Sequence, residues 1–168
     1  MIRIFGAALL LLSCCGFGFS LSVSHRKELD MLRTLKKAVQ EMEWELKYRM
    51  TELPELCILA GNMTGGVLKD IFMELANKMK NREVMDISAC FNGIIGQKEL
   101  PRRVRRNLRQ LSVHLGRFDL DGQLQGLEAI RQQCCNDIME LKENSRERLH
   151  SYQVIAACMG TALVILLI

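Results

Sequence analysis

Charge is missing from both ends of this chain. No Asp, Glu, Lys or Arg stands between Arg3 and Arg26, and none follows Arg148. The 168 residues are 49% hydrophobic and 25% charged, so an apolar–charged–apolar order has to be satisfied by one fold. A plain water-soluble globule would waste the ends, and an all-membrane protein would waste the middle. Two Pro and 5% aromatics leave little material for a many-turned β-sandwich or a base-stacking platform. Ten Met and a remainder rich in Leu, Glu, Lys and Arg suit helices. The net charge of +4 is mild and does not itself call for a polyanion.

Residues 4–23 are mostly apolar and just reach the ~20 residues that a spanning helix needs. Gly6, Gly16 and Gly18 fall inside this run, where small residues permit close helix contact; a lone anchor and a packed one both fit. A cleaved signal peptide is a rival reading, and Leu-Leu-Ser-Cys at residues 11–14 loosely resembles a lipoprotein processing site. The apolar run continues through Phe17, Phe19, Leu21 and Val23, which favours an uncleaved anchor. Residues 151–168 close on Ala-Leu-Val-Ile-Leu-Leu-Ile and read as a second span. Arg26, Lys27, Arg33, Lys36 and Lys37 flank the first span on its inner side, and Arg131, Lys142, Arg146 and Arg148 precede the second. Both sets place the middle domain in the cytoplasm.

Between the spans the apolar period is helical throughout. Leu29, Leu32, Leu35, Val39, Met42 and Leu46 form one stripe over residues 25–50, continuous with the first span. Thr51 as a cap and Pro54 in a first turn start a short helix ending near Ala60. The run Gly-Asn-Met-Thr-Gly-Gly at 61–66 reads as a turn. Val67, Leu68, Ile71, Phe72, Leu75 and Met79 carry the next helix; a polar patch at Asn81 and Arg82 separates it from one over 84–95. Pro101 begins a helix marked by Val104, Leu108, Leu111 and Leu115, with Gly116 as its stop. Leu127, Ile130, Cys134, Ile138, Leu141, Ser145, Leu149 and Tyr152 hold one stripe into the second span. The expectation is an all-α protein: an antiparallel bundle of about six helices over 24–150, between transmembrane helices at 1–23 and 151–168. Both chain ends then leave the bundle on one face.

Nothing in the sequence assembles a catalytic site. His25, His114 and His150 share no helical face, and no HExxH, P-loop or GxGxxG is present. The seven Cys, at 14, 15, 57, 90, 134, 135 and 158, make no CxxC, and their odd number in a cytoplasmic domain argues against a disulfide framework. Cys57, Cys90 and Cys134 fall on apolar stripes as small hydrophobes. The expectation is a non-enzyme with no cofactor, no metal and no small-molecule substrate.

One cluster does stand out. Arg102, Arg103, Arg105, Arg106 and Arg109 are five arginines in eight residues, and residues 98–117 carry a net +6. Arg102, Arg105, Arg106 and Arg109 share a helix face, expected to point outward. A solvated face, anionic lipid and an acidic protein partner all fit; without interleaved aromatics, nucleic acid does not.

Two stretches carry a family resemblance. The first is Leu35-Lys36-Lys37-Ala38-Val39-Gln40-Glu41-Met42-Glu43, with Glu45, Leu46 and Tyr48, then Thr51-Glu52-Leu53-Pro54-Glu55. The second is Leu115-Gly116-Arg117-Phe118-Asp119 and Gln123, with the long helix ending in Gly160 and Leu163-Val164-Ile165-Leu166-Leu167-Ile168. Together they resemble stage III sporulation protein AB of endospore-forming bacteria, over almost the whole chain. The resemblance implies a component of the channel linking mother cell and forespore during engulfment, in the mother-cell membrane. It implies a cytoplasmic helical bundle similar to the inner-membrane platform proteins of type II secretion and type IV pili, with a hexameric secretion-type ATPase among its neighbours. The function so implied is a platform; a membrane-tethered thiol redox or signalling module, built on the Cys14-Cys15 and Cys134-Cys135 pairs, is the alternative. Within the motif Gly116 is expected to close one helix, Asp119 to cap the next, and Arg117 to hold the corner.

Overall fold

The computed structural model describes the backbone of residues 2–83, 85–115 and 119–167, and the side chains of 26–83, 85–115 and 119–143. Six helices and no strand occur among the described residues: α1 (Ile2–Arg49), α2 (Leu53–Met63), α3 (Gly66–Lys80), α4 (Ile87–Gly96), α5 (Arg102–His114) and α6 (Leu120–Leu167). Of the apolar segments 1–23 and 151–168, residues 2–23 and 151–167 are the outer ends of α1 and α6, and the side chains of both segments lie outside the described residues. Among the described residues no helix is long and apolar enough to cross a membrane.

α1 and α6 are the two long helices and form a spine. Lys36 Nζ lies 3.9 Å from Cys135 Sγ, and Arg131 Nε donates to Glu43 Oε2 at 3.2 Å. Positions advancing along α1 therefore meet positions receding along α6, and the pair is antiparallel. The short helices close one side of this spine: α2 packs on α1 and α3, α4 on α3 and α5, and α5 on α6. The helical stripes supply the core as the period required. Leu32, Leu35, Val39 and Met42 of α1 are fully buried, as are Leu68, Ile71, Phe72 and Leu75 of α3. Phe72 and Phe91 meet with ring centroids 6.0 Å apart, locking α3 to α4; each buried Phe contributes about 1.5–3 kcal/mol.

Helix ends refine the sequence reading at three places. Thr51 does not cap α2: the N-cap is Glu52, with no side-chain bond, while Thr51 Oγ1 donates to Glu45 Oε2 at 2.8 Å. That bond ties the start of α2 back to α1 across Met50, whose φ of 50° ends α1 in the left-handed region. Residues 61–66 are not wholly a turn, because α2 runs on to Met63. Gly61 is buried in the helix, where an added Cβ would stand 3.2 Å from Met73 Cγ; it serves close packing, not chain reversal. The fourth helix begins at Ile87, with Asp86 Oδ1 accepting from Ser88 N at 2.9 Å and Ala89 N at 3.3 Å. This cap decides the boundary; Val84, the expected start, lies outside the described residues.

Candidate interaction surface on α5

α5 is the most polar of the short helices, yet one side of it is dry. Val104, Asn107, Leu108, Leu111 and Ser112 are buried. The arginines fill the remaining arc, and packing against α6 divides them. Arg103 Nη2 donates to Glu140 Oε1 and Arg106 Nη2 to Asp137 Oδ1, both at 2.5 Å. Arg105 Nη2 turns back to the Lys98 carbonyl at 3.2 Å. Arg102 and Arg109 are exposed, with no ion-pair partner among the described residues. The expected outward face of four arginines is thus a narrower one. Arg106 is partly committed to α6, because a carboxylate buried there must have a cation or donors.

Asp137 is that carboxylate. It is 1% exposed and accepts from three side chains: Arg106, Asn107 Nδ2 at 2.8 Å, and Gln133 Nε2 at 3.2 Å. Both oxygens are engaged, as a buried charge requires. Neither Asp137 nor Glu140 is among the residues that the sequence singles out. The signal for Asp137 was there: it adjoins Ile138 and follows Cys134 by three, so it sits at the edge of the α6 stripe, where an acid survives only if paired.

At the other end of α5, His114 lies on Gly126 of α6, where an added Cβ would come 2.4 Å from the ring Cγ. Paired with the Arg103–Glu140 contact, this makes α5 and α6 antiparallel as well. Leu115 closes α5, its amide donating to Leu111 O at 3.1 Å and its side chain 2% exposed. Gly116 and Arg117 lie outside the described residues. Asp119 caps α6 as expected: its Oδ1 accepts from Gly122 N at 3.2 Å, and its carbonyl from Gln123 N at 3.0 Å. Gln123 is half-buried beside it.

The first motif shapes the opposite corner of the bundle. Leu53 packs against the core, and Pro54 stands in the first turn of α2, where its missing N–H costs nothing. Glu55 pairs with Lys80 of α3 at 2.8 Å. Glu45, almost fully buried, takes both Thr51 and Arg49. These motif residues build corners between helices, and none converges with the arginines of α5.

Two thiols of the bundle are held in the protonated form. Burial pushes Cys57 up to about 12. Burial, then the negative field of Asp137, pushes Cys134 up to about 12 as well. Both remain protonated near neutrality, and the thiolate is the reactive form. Cys135 is half-buried. The side chains of Cys14, Cys15 and Cys158 lie outside the described residues.

No curated protein and no solved structure matches the chain. The sequence profile of the stage III sporulation protein AB family matches residues 3–168, both motif stretches and both apolar ends included, and the chain belongs to that family.

Proposed function

We propose that this sporulation protein is a non-enzymatic platform of a secretion-like channel between mother cell and forespore, anchored in the mother-cell membrane by residues 1–23 and 151–168, with the bundle in the cytoplasm. The observation that carries the reading is the antiparallel pairing of α1 and α6. It brings both long helices out of the bundle at one end, so two apolar tails can enter a single bilayer without a reversal of the chain. The bundle then stands out from the membrane with α5 along its side.

That posture weighs the lipid against the protein reading of the arginines. Arg103 stands opposite Glu140, so at 1.5 Å per residue Arg102 lies about 15 Å, and Arg109 about 25 Å, from the apolar segment at 151. Surface charge is screened within about 8 Å at physiological ionic strength. Headgroups are too far to engage both residues. An acidic protein surface is the better fit, and a secretion-type ATPase of the same channel is the partner proposed.

The test is co-purification from sporulating cells of the wild-type chain and of R102E/R109E. The wild type is expected to retain an acidic channel partner. The double reversal should lose it while keeping its helical spectrum and melting temperature. Equal partner recovery with both forms would overturn the role given to α5. Salt-sensitive binding of the isolated domain to anionic vesicles, abolished by the same reversal, would reinstate lipid.

A further inference from the structure

Over residues 33–49 of α1 and 120–141 of α6 the outward stripes carry opposite charge, and just outside these bounds Asp30 and Lys142 are exposed. Over residues 33–49 of α1, every exposed charged residue is a cation; Glu41 and Glu43 are half-buried and Glu45 is buried. Over residues 120–141 of α6, every exposed charged residue is an acid, while Arg131 is half-buried against Glu43. The α1 stripe also carries apolar surface that the core leaves out. Trp44 is 46% exposed and Tyr48 64%, with ring centroids 5.4 Å apart. Arg49 and Lys47 each lie 5.4 Å from one of these rings. On α6, Met139 is 58% exposed and Leu120 38%.

Exposed Trp, Tyr and Arg are the side chains that interfaces favour as anchors, and the lysines beside them supply charge that steers a partner. The surface best matched to them is acidic and holds flexible apolar side chains, and α6 of the same protein offers it. The two stripes cannot meet within one copy, because α1 and α6 already contact each other through other faces. We propose that the α1 stripe, centred on Lys37, Trp44, Lys47 and Tyr48, docks on the α6 stripe around Asp121, Glu128 and Met139 of a second copy. Made once between two copies, the contact leaves one stripe open on each, and the association then extends into a row or closes into a ring. A strip one helix wide falls below the ~1,200 Å² of a standard interface, so the contact is weak in dilute solution and gains from crowding copies together. Side-by-side copies sharing one membrane would supply that crowding; this clause alone rests on the membrane reading above.

The experiment mixes isotopically labelled and unlabelled full-length chain, in phospholipid vesicles and in concentrated detergent solution. Copies are joined with a zero-length amine–carboxylate cross-linker, and mixed-isotope peptides are read by mass spectrometry. Cross-links from Lys37 or Lys47 to Asp121 or Glu128 between copies are expected. K37E/K47E alone should lose them, and so should D121K/E128K alone. Mixing the two reversed chains should restore inter-copy links, because the acidic α1 of one then faces the basic α6 of the other and the two unaltered stripes also match. Helical spectra and melting temperatures separate a lost contact from a lost fold. No mixed-isotope cross-links between these helices in either medium, or no recovery in the reversed mixture, would overturn the proposal. Failure of the wild type to float with the vesicles would instead count against the membrane anchors, leaving the detergent result to judge the contact.

Discussion

Arg106 of α5 donates to Asp137 of α6 at 2.5 Å, from a side chain half in water to one that is 1% exposed. The cluster that looked uniform along the chain is divided by this contact. Arg103 and Arg106 help fasten α5 to the spine, and Arg102 and Arg109 are left for other surfaces.

The division predicts opposite mutational behaviour among neighbouring arginines. Asp137→Ala leaves Asn107 and Arg106 without their acceptor and should cost about 2–3 kcal/mol by chemical denaturation. Arg106→Ala should cost about 1–2 kcal/mol, because it leaves a buried carboxylate with amide donors only. Arg102→Ala should stay within about 0.5 kcal/mol of wild type. Equal costs at 102 and 106 would refute the assignment.

Two glycines should respond with opposite sign. Gly126→Ala drives a methyl into the His114 ring and should destabilise by about 1–3 kcal/mol, since α5 must move off α6. Gly93→Ala, with nothing within 4 Å of the added Cβ, should stabilise α4 by up to about 1 kcal/mol. Melting temperatures of the pair provide the check.

Caps fall between these extremes. Asp86→Ala and Asp119→Ala each remove an acceptor for unpaired first-turn amides and should cost about 1 kcal/mol. Asn at either position should recover most of it. An unchanged melting temperature for Asp119→Ala would assign that residue to a contact outside the bundle.

The bundle itself was legible because its core obeys one period. Leu32, Leu35 and Val39, or Leu108 and Leu111, are buried where a helical repeat places them. The misread places are those where a distant helix decides. Gly61 carries the local marks of a turn, and only Met73 across the α2–α3 seam makes it a packing residue. Arg106 was expected outward and turns to α6 because Asp137, more than thirty residues on, draws it there, as Glu140 draws Arg103. Thr51 had a capping residue type, but the buried Glu45 carboxylate competes for its hydroxyl and wins. Asp86 could have been found, since an Asp directly before an apolar-periodic run is a cap signal.

The buried thiols make stability fall in alkali. For Cys57 and Cys134 the folded value is raised from 9.0 to about 12, so the folded state holds these protons more tightly than the unfolded chain does. Their contribution is full below pH 9 and is lost as pH rises toward 12. Unfolding free energy should decline over that window, less steeply in Cys57→Ala than in wild type. At pH 7.5 a thiol reagent should reach Cys57 and Cys134 only on unfolding.

Reporter insertion tests the proposed anchored, one-sided posture most directly. A reporter active only in the cytoplasm is placed in the α4–α5 connection at residues 97–101, and its counterpart active only across the membrane goes at the same site in a parallel strain. Cytoplasmic activity alone is expected, with the fusion in the membrane fraction, and release from that fraction only when both 1–23 and 151–168 are removed. Activity of the exported reporter, or a full-length fusion recovered in the soluble fraction, would contradict it.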